Sequence, residues 1–173
     1  SVMGTAISGL IVRGALPPEL VETAVGQLTS DAMTEEWASP NKGMPGGEIR
    51  TICSAATPTF TALRGPTPES YSASAKVHAQ WTDRIFEGGD PTSHIAGVFS
   101  QLFHGRPSGA PSFTSGGHWA PYNYRALDPG VQIYSHHDNH YGLSIYDAMD
   151  PRYDRSTLLS WFVTLQPAEV DGD

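Results

Sequence analysis

The chain has 173 residues, enough for one domain around one core, and its 39 % apolar content is modest for a globular protein. With 18 Asp and Glu against 10 Lys and Arg, the formal charge is −8 and no basic run can track phosphates, which excludes nucleic acid as an expected partner. No apolar stretch approaches a membrane span, and Ser1 to Leu16 lacks the basic start and long apolar middle of a leader, so the expected setting is cytoplasmic and away from membranes.

In chain order, Leu20, Val21, Ala24, Val25 and Leu28 recur at helical spacing behind Pro17 and Pro18, which predicts a helix with proline in its first turn. Residues 39–47, rich in Pro, Gly, Ser and Asn, read as an irregular loop, and residues 48–54 as a short strand. Cys53, the single cysteine, permits no intrachain disulfide and reads as a small apolar residue. After Pro66 and Pro68, the stripe Tyr71, Ala75, His78, Trp81 and Ile85 predicts a second helix that stops near Gly88 and Gly89. His78 on that stripe reads as a packed helix residue rather than a ligand. Asp90 and Pro91 are a cap and a first-turn proline, and Ile95, Val98, Phe99, Leu102 and Phe103 give the third helix a clean apolar face that ends at Gly105.

From about Arg106 the texture changes to β-branched and aromatic segments bounded by turn residues, with strands expected at 119–127, 131–136, 143–146 and 157–166. Helices followed by strands predict an α+β fold in a single domain over 1–173, mainly helical over 1–105 and β over 106–173.

Chemistry concentrates between Asp128 and Gly142. Pro129 and Gly130 make a turn, and extended residues then run into His136, His137 and Asp138. Side chains alternate on an extended chain, so His136 and Asp138 share a face while His137 points away. An imidazole and a carboxylate two residues apart are thus delivered to one point, as a mononuclear metal site requires. His140 lies four residues after His136, but the Glu of a zinc-protease helix is absent and the Pro-Gly turn opposes a helix. His140 is therefore kept as a residue near the pocket. An isolated H-x-D tripeptide would read as a surface loop; its flanks change that reading.

The run from Tyr124 to Asp138 resembles the prolyl-hydroxylase-like branch of the Fe(II)/2-oxoglutarate oxygenases, in which a strand, a Pro-Gly-type turn and five residues precede H-x-D. Leu158 to Gln166, followed by Val170 to Asp173, is similar to that family's next core strand and its acidic, Gly-containing turn. The resemblance implies helices packed on a double-stranded β-helix (jelly-roll) core, with Fe(II) and 2-oxoglutarate as cofactor and co-substrate. His136 and Asp138 would be two ligands of a two-His-one-carboxylate triad. Asn123 and Thr164 would line the 2-oxoglutarate pocket, and Arg125 would meet a substrate carboxylate. The distal His and the basic residue that anchors 2-oxoglutarate lie, in the family, beyond the turn at Asp171 to Asp173, so the core is expected to be incomplete within this chain. His94, His104 and His118 match neither role.

The implied reaction couples dioxygen and oxidative decarboxylation of 2-oxoglutarate to oxidation of an unactivated C–H bond. The substrate would be a small molecule, amino-acid-like rather than a protein. In the related halogenases a small residue replaces the carboxylate ligand and frees a site for chloride, so Asp138 points to hydroxylation, with desaturation or ring formation decided by substrate placement. A non-catalytic β-helix protein that binds a metal or small ligand, and a zinc hydrolase using His136 and Asp138, are the alternatives. No feature assigns an oligomeric state.

Overall fold

A computed structural model describes residues 10–38, 49–52, 67–119, 121–122, 124–128, 130–131, 147–153 and 161–167. Within them, helices pack against a small antiparallel sheet. Helix α1 (Pro18–Leu28) starts with proline in its first turn and buries Ala24. A single-turn helix α2 (Asp31–Thr34) and a two-residue strand β1 (Trp37–Ala38) follow, and Trp37 Nε1 donates to the Leu28 carbonyl at 3.3 Å, satisfying one of the open groups at the end of α1.

Strand β2 (Ile49–Ile52) lies inside the segment where a strand is predicted. It is the middle of a three-stranded sheet ordered β1-β2-β3, in which β3 (Tyr124–Leu127) pairs antiparallel with β2, Ile52 opposite Tyr124 and Ile49 opposite Leu127. The sheet therefore joins the mainly helical part of the chain to the β part.

Helix α3 (Pro68–Phe86) is started by a reciprocal cap between Thr67 and Ser70 and by Pro68 in the first turn. It ends where Glu87 and Gly88 turn left-handed (φ 49° and 80°) and the Gly88 N–H donates to the Asp83 carbonyl. Asp90 caps helix α4 (Pro91–Leu102) by accepting from the Ser93 N–H and hydroxyl, and these bonds hold its carboxyl below the usual range. Gly89, between the two helices, is needed for close approach: a Cβ there would lie 2.5 Å from Leu20 Cδ2 on α1.

Ala24, Met33, Ile85, Phe86 and Tyr124 form the core, ringed by Leu20, Leu28, Trp37, Trp81, Tyr122 and Leu165. Helices and sheet thus share one apolar interior. Phe113 and Met149 form a smaller buried pair across an isolated bridge.

One strand expectation is narrowed. Residues 119, 121 and 122 are not strand, and β3 covers Tyr124–Leu127, after Pro121, which has no N–H to give a ladder. Residues 161–166 have no ladder partner among the described residues, although half-buried Trp161, Val163 and Leu165 alternate with exposed Phe162, Thr164 and Gln166. Trp161, at the start of this alternation, packs on Phe99 and Tyr122. The expected loop at 39–47 and the strand at 143–146 lie outside the described residues, as does most of the strand expected at 131–136. No described helix is long and apolar enough to cross a membrane.

Candidate metal centre and the strand that leads to it

His136, Asp138 and Asn123 lie outside the described residues, whereas Arg125 and Thr164 lie within them. Arg125 sits on β3 opposite Thr51 and is exposed, on the face of the strand opposite buried Tyr124. Thr164 is exposed on the same side of its segment as Phe162, whose side chain is 70 % exposed. Arg125 and Thr164 thus occupy the open faces of their segments. The partners on the other faces, Tyr122 and Trp161, touch with ring centroids 5.7 Å apart, so the two segments lie side by side.

The chain towards the candidate ligands is described as far as Val131. Arg50 on β2 makes a 2.8 Å ion pair with Asp128 and lies over the Trp37 ring, 5.9 Å from its centroid. After Asp128 the chain turns: the Val131 N–H donates to the Asp128 carbonyl at 3.0 Å, and Gly130 takes φ 82°, which only glycine adopts freely. Thus the Pro-Gly turn read in the sequence follows directly on a strand pinned to its neighbour.

At the other end of β3, Tyr122 and Tyr124 reach under α3. His78 is buried at 4 % exposure, edge-on to Tyr122 at 4.5 Å and stacked on Tyr124 at 5.9 Å. The Thr82 hydroxyl, one helical turn after His78, lies 3.4 Å from its Nδ1, 3.3 Å from the Tyr122 hydroxyl and 3.2 Å from the Tyr124 hydroxyl. Thr92 on α4 stands 3.3 Å from the Tyr122 hydroxyl. Burial pushes the His78 imidazole down to about 4, so it is neutral at physiological pH. Its Nε2 has no partner among the described residues. Reading His78 as a packed helix residue is correct; the hydroxyl cluster around it escapes sequence reasoning, because only Thr82, four residues on, gives a local sign of it.

Next to this cluster is a cavity of about 530 Å³ between α3 and the 110–121 segment, walled by Ala75, His78, Ala79, Thr82, Trp119 and Pro121. The segment presses close to the helix, since a Cβ on Gly117 would meet the Ser72 hydroxyl. The described residues contain no group of three or more His, Cys, Asp or Glu side chains able to hold a metal. By donor chemistry, an imidazole and a carboxylate two residues apart behind this turn suit Fe(II) with positions left open.

Helices packed on a sheet, a pinned strand, a Gly turn and an H-x-D run define a candidate non-haem iron enzyme. Over residues 1–173 the chain matches the family described as carrier-protein-independent halogenase WelO5. It therefore belongs to that family, whose members are Fe/2-oxoglutarate-dependent halogenases acting on unactivated C–H bonds. No curated protein and no solved structure shows significant similarity to it. The superfamily agrees with the resemblance drawn from the sequence, but the branch is the halogenase family rather than the prolyl-hydroxylase-like one. The strand, the turn and the first His belong to the core that such enzymes share, so they identify the superfamily and do not separate its branches, whereas the position of Asp138 is the one at which hydroxylases and halogenases differ.

Proposed function

We propose that the chain carries the Fe(II)-binding part of a 2-oxoglutarate-dependent hydroxylase within this halogenase family, built on a double-stranded β-helix core, with His136 and Asp138 as metal ligands. The observation that carries this reading is Asp138. A carboxylate at that position occupies the metal site that a small residue would leave to chloride. Bound Fe(II) with 2-oxoglutarate supplies the oxidation of an unactivated C–H bond at the expense of dioxygen, with succinate and carbon dioxide as co-products.

This chain's own part is positional. The β2–β3 ladder and the Arg50–Asp128 pair hold the strand and the Gly130 turn redirects it; beyond it, His136 and Asp138 would share a face of an extended chain. Arg125, Asn123 and Thr164 are the candidates to receive the carboxylates of substrate and 2-oxoglutarate. A carrier-independent family points to a free small molecule as substrate, taken up without tethering to another protein.

Chlorination is the second reading, and the family match favours it. Product analysis separates the two: turnover in chloride buffer, with Fe(II) and 2-oxoglutarate, against a panel of small amphiphilic amines and amino acids. Incorporation of one oxygen atom from labelled dioxygen supports hydroxylation. Incorporation of chlorine by the wild-type protein overturns it.

A further inference from the structure

We propose that the Thr82 hydroxyl is the hub of a half-buried latch that fixes β3 against α3 and α4, making His78 and Thr82 positioning residues for the metal centre. The inference rests on the reading of His136 and Asp138 as ligands.

A hydroxyl has one hydrogen and two lone pairs, so it can serve three partners at once. Thr82 has three within 3.4 Å, namely His78 Nδ1 and the hydroxyls of Tyr122 and Tyr124. The tyrosines stand two residues apart at the start of β3, and Thr92 reaches Tyr122 from α4, so five side chains tie two helices to one short stretch of chain. Each contact is long for a hydroxyl bond and individually weak. Together, in a buried setting where His78 is nearly inaccessible, they choose one placement of Tyr122 and Tyr124 over others that packing alone would tolerate.

That choice matters because β3 has only four residues. Its far end is held by the exposed Arg50–Asp128 pair and by the ladder to β2, which fix register along the strand but not its seat against the helices. In the sequence His136 comes five residues after Val131, so a shift of the strand under α3 moves the turn from which the segment bearing the candidate ligands departs. A metal site tolerates little displacement of its donors, and residues that orient ligands from behind alter metal affinity by about 10–100-fold.

The test is Co(II) titration of the full protein, followed by visible absorption, with fold monitored by circular dichroism under the same conditions. Thr82→Val keeps the shape and removes every hub contact; it should bind Co(II) about tenfold more weakly while still folded. Thr82→Ser restores the hydroxyl and should restore affinity. Should Thr82→Val fail to fold, Tyr122→Phe, which deletes one hydroxyl, takes its place and should weaken binding to a lesser degree. Wild-type affinity in a folded Thr82→Val or Tyr122→Phe protein overturns the latch alone. A wild-type protein that takes no Co(II), or binds it equally well after His136→Ala, overturns the ligand assignment on which the latch depends.

Discussion

The two faces of β3 do different work. Towards the helices, Tyr124 joins Ile85, Phe86, Met33 and Ala24 in the core, and with Tyr122 it shares the hydroxyl cluster of Thr82 and His78. Towards the open side, Arg125 and Leu127 are exposed, as are Phe162 and Thr164 on the neighbouring segment. The first face is specified by packing and buried polar contacts. The second carries the residues assigned to chemistry, and little of the described structure leans on it. The comparison sets a packed face against an open one across one short strand, and mutations on the two sides should have different signatures.

The largest effect is expected on the chemical side. His136→Ala and Asp138→Ala should each abolish 2-oxoglutarate turnover while shifting the melting temperature little; near-wild-type succinate formation by either variant would remove it from the site. His137→Gln should keep most of its iron affinity, because alternation along an extended chain would turn this side chain away from its neighbours, and a loss equal to that of His136→Ala would show the register to be wrong.

On the packing side, Ile85→Ala removes a fully buried side chain from the shared core and should cost about 2–5 kcal/mol in urea unfolding. A much smaller loss would mean that α3 and the sheet do not share one interior.

The His78 imidazole, held down to about 4 by burial, sharpens the contrast through pH. The unfolded chain takes up this proton below its ordinary value near 6.5, while the folded chain resists it until about 4. Stability from this group is therefore complete above about pH 6.5 and falls as pH drops towards about 4, by up to about 3 kcal/mol. His78→Phe should flatten that part of the profile. An unchanged slope in the variant would place the pH dependence elsewhere.

The smallest effect belongs to Arg50→Ala. Both partners of the Arg50–Asp128 pair are more than two-fifths exposed, so its loss should cost less than about 1 kcal/mol. A cost several times larger would mean that this pair, rather than the half-buried latch, seats β3.

Much of this was legible in the sequence where a local signal exists. The three long helices announce themselves through the caps and prolines at Pro18, Thr67–Pro68 and Asp90–Pro91, and β2 falls within the predicted segment. Helix α2 and strand β1 are too short to carry a period, and β1 exists because it pairs with β2, a contact invisible to local pattern. The turn before the H-x-D run was readable from Pro129 and Gly130. The partnership of Thr82 with Tyr122 and Tyr124, 40 and 42 residues away, was not, because nothing local couples them. The branch of the superfamily was equally hidden, since Asp138 points away from chlorination while the family match over residues 1–173 is to halogenases.

The central claim, that Asp138 is an iron ligand and closes the site to chloride, has a direct test that needs no substrate. Fe(II) and 2-oxoglutarate are added anaerobically to the full protein, and the charge-transfer absorption of the complex is followed as chloride replaces an inert anion at constant ionic strength. The account predicts a spectrum that forms in the wild type and does not respond to chloride, and a saturable response to chloride that appears in Asp138→Gly. A saturable chloride response in the wild-type protein, or an identical spectrum in both proteins, would contradict it.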